Sequence, residues 1–300
     1  MVKLVYVKLL NDYNDIANYK LPKCIKKLLL KIKRILRIIT QKEIDGLIIW
    51  NLPFFKNEIG LKKEEIKMSI LKKVREDNVL VLSKELKTTE IVDILDRYNI
   101  KYIKGKLAKK KLIFNVLEYI SKLQNKNVKK REISILVSKD TQINIDLIIE
   151  LANISRLVKI VNNGKNRFKK IEEKLYNEQG IAIQFSNNFK KSLKNADIII
   201  NLDFNEEEIN KYSISSKAII VNTEDNMKIK SKSFNGILIN FYDIELIDKS
   251  IDNKFCDFYL VDIYESLIIT NKIIDKNKIL IKSVIGNNGR ILEKEFKNIS

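Results

Sequence analysis

The chemistry open to this chain is limited because its 300 residues include no histidine. Without an imidazole there is no histidine general base, no Ser-His or Cys-His nucleophile pair and no histidine-ligated metal. The only cysteines, Cys24 and Cys256, are too far apart in sequence for a zinc-binding spacing or a disulfide framework. Acid–base work would fall to Lys, Asp, Glu, Tyr or Cys, and no motif selects a catalytic set among them.

Six apolar runs with the character of buried strands occur in order between residues 132 and 241. They are 133–137, 157–161, 181–185, 197–202, 218–221 and 236–241. Helical patterns connect the early runs, and apolar strands that alternate with helices are typical of a parallel sheet covered on both faces. The sequence therefore predicts an α/β protein with a six-strand, doubly wound, Rossmann-like sheet.

Polar side chains follow several of these runs, at the end of the predicted sheet where ligands bind. In open parallel sheets, ligands bind outside the carboxyl ends of the strands. The candidate cofactor-binding residues at these ends are Ser138, Lys139, Thr141, Asn201, Asp203 and Asn222. Lys139 and Thr141 precede a helix and could hold a single phosphate at its N-terminus. The glutamates 206–208 are typical of a helical first turn, so no metal site is predicted.

The loop after the first run lacks the glycines of a dinucleotide site. Those glycines make a tight turn and let backbone N–H groups approach a pyrophosphate. Ser138, Asp140 and Ile143 occupy the corresponding positions. Their side chains would block close approach, and Asp140 would set a carboxylate beside the diphosphate. The pattern indicates a degenerate glycine loop, which leaves two alternatives: no cofactor, or NADP.

Residues 131–203 resemble the cofactor domain of the shikimate dehydrogenase and glutamyl-tRNA reductase group. Residues 162–168, Asn-Asn-Gly-Lys-Asn-Arg-Phe, are similar to that family's Asn-Arg-Thr stretch, and 196–201, Ala-Asp-Ile-Ile-Ile-Asn, are similar to its fourth strand. The resemblance implies that Arg167, with Asn163 nearby, contacts the ribose phosphate of NADP. The other interpretation is a surface arginine at a strand–helix turn. The family's Lys–Asp proton-transfer pair and cysteine nucleophile have no match here.

Two functions remain open at this point. One is an NAD(P)-dependent oxidoreductase of the shikimate dehydrogenase-like type with an altered cofactor loop. The other is a non-catalytic relative that binds a small anionic ligand or a protein partner. The chain lacks histidine, the glycines of a dinucleotide loop and a match to the Lys–Asp proton-transfer pair. These absences favour the non-catalytic relative. The residues identify neither a substrate nor an oligomeric state.

The domain boundaries follow from the pattern of elements. Residues 1–123 are expected to form a smaller parallel α/β domain with an exit helix, and the polar run 124–131 to form a junction. Residues 132–245 form the Rossmann-like domain. Residues 246–300 are expected to form a helix and a hairpin that pack back on the body.

The net charge of +19 comes from 57 basic residues, of which only 8 are arginine. Nucleic-acid readers favour arginine for its bidentate fork. A lysine stripe between 104 and 131 has aromatic neighbours at the spacing of a buried face, which argues against nucleic-acid binding. No apolar stretch reaches the roughly 18–20 residues of a membrane span, and no signal-peptide cleavage site is present, so a cytoplasmic location is expected.

Residues 23–40 carry seven basic side chains and no acidic one, with apolar residues at helical spacing. One interpretation is a cationic amphipathic helix on a membrane or an acidic partner. The other is a helix that covers the sheet and shows a lysine-rich face to solvent. The strands predicted on either side favour the sheet-covering helix.

Overall fold

The computed structural model describes residues 3–16, 21–44, 47–87, 90–162, 168, 172–173, 175–177, 180–181, 183–246, 255–272, 275 and 278–299. It confirms the predicted α/β class. The strands are β1 (Lys3–Leu10), β2 (Thr40–Ile44), β3 (Leu47–Phe55), β4 (Asn78–Leu82), β5 (Glu132–Leu136), β6 (Leu157–Val161), β7 (Ile183–Ser186), β8 (Ile198–Asn201), β9 (Ile219–Asn222), β10 (Ile237–Ile239), β11 (Phe241–Leu246), β12 (Ile279–Gly286) and β13 (Gly289–Arg290).

The α-helices of the described residues are α1 (Lys23–Ile35), α2 (Lys63–Lys73), α3 (Lys84–Lys87), α4 (Ile91–Arg97), α5 (Lys106–Lys111), α6 (Ile113–Gln124), α7 (Gln142–Ile154), α8 (Glu206–Ile209), α9 (Leu260–Ile269) and α10 (Glu293–Asn298). Short 3-10 helices span Tyr13–Asp15, Lys56–Glu58 and Val128–Lys130. In the part of the chain that the structure describes, no helix is long and apolar enough to cross a membrane.

The chain divides into two units. The first contains Met1–Gly105 and Lys249–Ile273, and the second contains Lys106–Asp248 and Ile274–Ser300. The sequence placed the exit helix with the first domain, whereas α5 and α6 belong to the second unit. The reason is packing, since α6 lies against β12 and α10.

The sheet of the first unit has the order β2-β3-β1-β4 and is mixed rather than wholly parallel. Strands β3, β1 and β4 are parallel, and β2 runs antiparallel to β3 at the edge. The antiparallel edge arises because α1 ends at Ile35, earlier than the predicted Thr40. Arg37 has φ +53°, and the amide of Ile38 donates to Lys33 O at 2.8 Å, which closes the helix and reverses the chain into β2.

Both faces of this first sheet are buried, as the continuous apolar strands predicted. Val5 and Val7 of β1 pack on one side in a core that includes Ile66 of α2. Tyr6 packs on the other side with Ile263 of α9, and its hydroxyl hydrogen-bonds Ser266 Oγ at 2.9 Å. Alternate residues of a strand point to opposite faces, so one strand serves two cores.

The second unit contains the predicted six-strand sheet. All of its strands are parallel, in the order β10-β9-β8-β5-β6-β7. This is the 3-2-1-4-5-6 order of the doubly wound dinucleotide-binding fold, and it confirms the Rossmann-like prediction. The sixth strand is shorter than the predicted 236–241, because the chain leaves the sheet at Asn240 and enters β11, which pairs antiparallel with β12.

Helix α1 has the opposite orientation to the sheet-covering helix favoured by the sequence. Lys26 and Leu30 are its buried residues, whereas Ile25, Leu28 and Ile32 are exposed. The outer face therefore carries aliphatic side chains beside exposed lysines.

Candidate functional site at the carboxyl edge of the six-strand sheet

Strands β5, β8 and β9 are neighbours, so the residues that follow them meet at one edge of the sheet. This arrangement brings Ser138 and Lys139 close to Asp203, and Asn201 close to Asn222. Of the predicted site residues, Asn163 and Arg167 lie outside the described residues. The carboxyl edge is the place where ligands of this fold bind.

The carboxylate of Asp203, which follows β8, binds backbone amides of the loop after β5. It accepts a hydrogen bond from Ser138 N at 2.6 Å through Oδ1 and from Lys139 N at 2.9 Å through Oδ2. Asn144, which is 1% exposed, donates to the same Oδ2 at 3.3 Å and to Lys139 O at 2.8 Å. These backbone amides are in the position where a dinucleotide loop would present donors to phosphate, and here they bind a side chain of the protein itself.

Thr141 marks the start of α7. Its backbone is extended, with φ −68° and ψ 149°, and its hydroxyl makes no capping hydrogen bond to the helix. Both Thr141 and Lys139 are exposed. The two residues predicted to bind a single phosphate thus lie at the helix N-terminus and are accessible.

Three asparagines at the ends of adjacent strands form a buried ladder. Asn201 Nδ2 donates to Asn222 Oδ1 at 2.9 Å, and Asn222 Nδ2 donates to Asn240 Oδ1 at 2.9 Å. Asn201 and Asn222 are 0% exposed and Asn240 is 2% exposed. Asn201 also binds both the N–H and the carbonyl of Phe204. The ladder fixes the loops that follow the strands, as buried amides with satisfied partners do.

Three lysines of α5 reach the same edge. Lys106 Nζ contacts Glu224 at 2.6 Å and Asp225 at 2.9 Å. Lys109, which is 4% exposed, donates to the carbonyls of Glu224 and Asn240. The sequence assigned these lysines to a surface stripe. No local signal links Lys106 and Lys109 to the edge, because more than a hundred residues separate them from their partners at Glu224 and Asn240.

Lys110 is linked to Asp203 through Asn144. Its Nζ donates to Asn144 Oδ1 at 3.0 Å, so a lysine and a carboxylate share one buried asparagine. Burial lowers the pKa of Lys110, although the charges of Glu224 and Asp203 act in the opposite direction. For Lys106, burial alone would lower the pKa, but the hydrogen bonds to Glu224 and Asp225 outweigh it and raise the value.

The acidic run after β8 has the capping role expected of a helical first turn. Asn205 accepts from Glu208 N at 2.9 Å, and Glu208 accepts from Asn205 N at 2.7 Å, which is a capping box for α8. Within the described ranges, no group of His, Cys, Asp and Glu side chains could hold a metal ion.

The first unit has a charged cluster of its own near the carboxyl ends of β1 and β3. Lys56 contacts Glu85 and Asp257 at 2.8 Å each, and Lys8 contacts Asp257 at 2.9 Å. Burial alone would raise the pKa values of Asp257 and Glu85, but hydrogen bonds from the lysines outweigh it and hold both below their ordinary values. The cluster ties residues 255–258 to the sheet.

No family model and no curated protein sequence matches this chain. Among solved structures, it is similar to a dipicolinate synthase chain from Bacillus halodurans, at 9% identity over 91% of this chain and 98% of that chain, with a TM-score of 0.41. It is also similar to shikimate dehydrogenase from Aquifex aeolicus, at 12% identity over 99% and 97% of the two chains, with a TM-score of 0.30.

The match to L-tryptophan dehydrogenase from Nostoc punctiforme has 9% identity and a TM-score of 0.30, and it covers 77% of this chain and 65% of that chain. The chain thus spans less than two thirds of that enzyme. All three of these similarities are at low identity and low TM-score. The strand order of the sheet itself defines the class of fold, which is a doubly wound, Rossmann-like α/β fold.

Proposed function

We propose that this chain is a non-catalytic binding protein built on the Rossmann fold, in which the Asp203 carboxylate takes the place of a dinucleotide phosphate. The observation that carries the proposal is the pair of hydrogen bonds from Ser138 N and Lys139 N to Asp203. A bound phosphate needs those backbone donors. In this chain they already have an anionic acceptor.

A dinucleotide would have to displace that acceptor and would then lie beside it. Two unit negative charges about 4 Å apart repel by about 1 kcal/mol in water and about 4 kcal/mol near a protein surface. The exposed Asp140 in the same loop adds a second carboxylate. Both the lost hydrogen bonds and the added repulsion oppose pyrophosphate binding.

The polar groups at the edge are otherwise engaged in holding the protein together. Asn201 and Asn222 are fully buried and bonded to each other, which supports a structural role for both side chains. Hydride transfer needs the cofactor, because the protein supplies only binding, orientation and electrostatics. What remains accessible is the rim of the edge, with Lys139 and Thr141, which suits a small anionic ligand or a protein partner.

The test is a calorimetric titration of the full chain with NADPH and NADH. We expect no saturable heat at millimolar cofactor. Saturable binding at micromolar concentration would contradict the proposal and support an NAD(P)-dependent oxidoreductase with an altered loop. Arg167→Ala would then test the ribose phosphate contact.

A variant tests the Asp203 carboxylate separately from the other charge near this loop. Asp203→Ala frees two backbone amides and removes one negative charge, so we expect it to bind inorganic pyrophosphate more tightly than the wild type. Asp140→Ala is the matched control. It removes a negative charge from the loop after β5 but removes no hydrogen bond to these amides. Equal affinities in Asp203→Ala and Asp140→Ala would show that charge alone, rather than occupancy of the amides, controls anion binding.

A further inference from the structure

Helix α1 carries a stripe of exposed aliphatic side chains along its outer face. The exposed fractions are 42% for Ile25, 58% for Leu28, 42% for Ile32, 79% for Ile35 and 50% for Leu36. These positions recur at intervals of three and four residues, so they form one continuous face. Thirteen helical residues make this face about 20 Å long.

The opposite face of α1 combines the buried Leu30 with basic side chains, and it is fixed to the body of the first unit. Lys26 Nζ donates to Asn14 Oδ1 at 2.8 Å, and Lys33 Nζ donates to Ile16 O at 2.8 Å. Arg34 Nε donates to Pro53 O at 2.7 Å, and its guanidinium also pairs with Glu58. Rotating the helix to bury its apolar face would break these bonds, so the outward orientation is built into the fold.

Exposed cations flank the apolar stripe. Lys23, Lys27 and Lys31 of the helix are exposed, and so is Arg37 just after it. No acidic residue occurs between 23 and 40. An apolar stripe with a basic flank is complementary to a surface that offers hydrocarbon and negative charge together.

We propose that the outer face of α1 lies on a lipid bilayer that contains anionic phospholipid. Ile25, Leu28, Ile32 and Ile35 enter the boundary between headgroups and acyl chains, and the flanking lysines contact headgroup phosphates. Aliphatic side chains bury apolar area there, and each nearby lysine adds attraction to anionic lipid. The helix lies flat because its other face is bonded to the protein.

A second copy of the chain is the main alternative occupant. In a two-fold symmetric contact, the same patch of each copy faces the other. Helices paired through this stripe would bring Lys27 and Lys31 towards the cations of the partner helix, and such like-charge contacts are unfavourable. The stripe also has no aromatic side chain, whereas the energetic centres of protein interfaces are enriched in Trp and Tyr. These features favour lipid.

The experiment is flotation of the full chain with vesicles of phosphatidylcholine alone or mixed with phosphatidylglycerol. We expect binding to the mixed vesicles only, weaker at high salt. The double variant Leu28→Glu with Ile32→Glu should bind at least about tenfold more weakly. Leu61→Glu is the matched control, since Leu61 is an exposed leucine outside the helix, 87% exposed, and it should bind like the wild type.

A fluorescence measurement shows where the face lies. In a Leu28→Trp variant, brominated lipid should quench the new tryptophan, while Trp50, which is 3% exposed, serves as the internal reference that is not quenched. Absence of flotation with mixed vesicles would overturn the proposal, as would equal binding by the wild type and the Glu variant. Concentration-dependent dimerisation that the same Glu variant abolishes would assign the face to a second copy and overturn it too.

Discussion

The side chain of Asp203 accepts a hydrogen bond from the backbone amide of Ser138 at 2.6 Å. The two residues are 65 positions apart, but they follow β8 and β5, which are neighbours in the sheet. The contact joins the loop after β8 to the loop after β5. This contact and others in the two units have consequences that can be measured.

Removing the Asp203 carboxylate should destabilise the second unit. Asp203→Ala deprives Ser138 N and Lys139 N of an ionised acceptor, and hydrogen bonds to charged groups contribute about 1.5–3 kcal/mol each when buried. Because Lys139 is exposed and water can replace part of the loss, we expect a decrease of about 2 kcal/mol in the free energy of urea unfolding. Asp140→Ala should change it by less than about 0.5 kcal/mol. Similar effects of the two substitutions would refute this role of Asp203.

The asparagine ladder should be intolerant of truncation. Asn222→Ala leaves one N–H of the buried Asn201 amide without an acceptor and removes one of the two donors to Asn240 Oδ1. The other N–H of Asn201 stays bonded to Phe204 O, and Asn240 Oδ1 stays bonded to Met227 N. Unsatisfied buried polar groups cost about 1–3 kcal/mol each, so we expect a loss of about 3 kcal/mol. Asn153→Ala, on the exposed side of α7, is the control and should be nearly neutral. The measurement is thermal or urea unfolding, and a neutral Asn222→Ala would show that the ladder does not stabilise the loops.

The first unit should lose stability in acid through Asp257 and Glu85. Both carboxyls have a pKa below the ordinary value because of the hydrogen bonds from Lys56. A depressed folded-state pKa stabilises the protein above the ordinary carboxyl range, and that stability is lost as the pH falls below about 4. Lys56→Met should therefore be less stable than the wild type at pH near 7, and the difference should shrink at pH near 3.

Lys62→Met is the control for this pH dependence, since Lys62 pairs with Glu65 on the exposed surface, where ion pairs contribute little. Urea unfolding of the three proteins across this pH range gives the comparison. A Lys56→Met deficit that is unchanged between neutral and acid pH would contradict the assignment.

Gly236 should not accept a side chain. A Cβ there would lie 2.1 Å from Ala218 O, which is backbone of the adjacent chain segment and cannot move aside. We expect Gly236→Ala to destabilise the second unit by about 3 kcal/mol or to separate β10 from β9. Gly60→Ala is the control, because a Cβ at Gly60 would meet nothing within 4 Å. Thermal unfolding midpoints compare the two, and equal midpoints would contradict the clash.

The sequence alone determined the class of fold and the run of strands in the second unit. Continuous apolar runs report burial on both faces of a parallel sheet, a local property that a single sequence carries. The pattern also predicts the candidate residues Ser138, Asn201, Asp203 and Asn222, since the ends of strands can be read from it. The missing glycines were equally visible.

Only the tertiary structure decided how those residues are used. Asp203 bonds the loop of Ser138, and Asn222 lies in a buried ladder, because strands distant in sequence become neighbours in the sheet. Which face of α1 is buried was decided in the same way. Its amphipathic pattern shows that the helix has two faces, but the acceptors for Lys26 and Arg34 come from other segments and determine which face is buried. Periodicity in the sequence shows that a helix has an apolar face and a polar face. Which of the two faces is buried depends on partners that only the folded chain supplies.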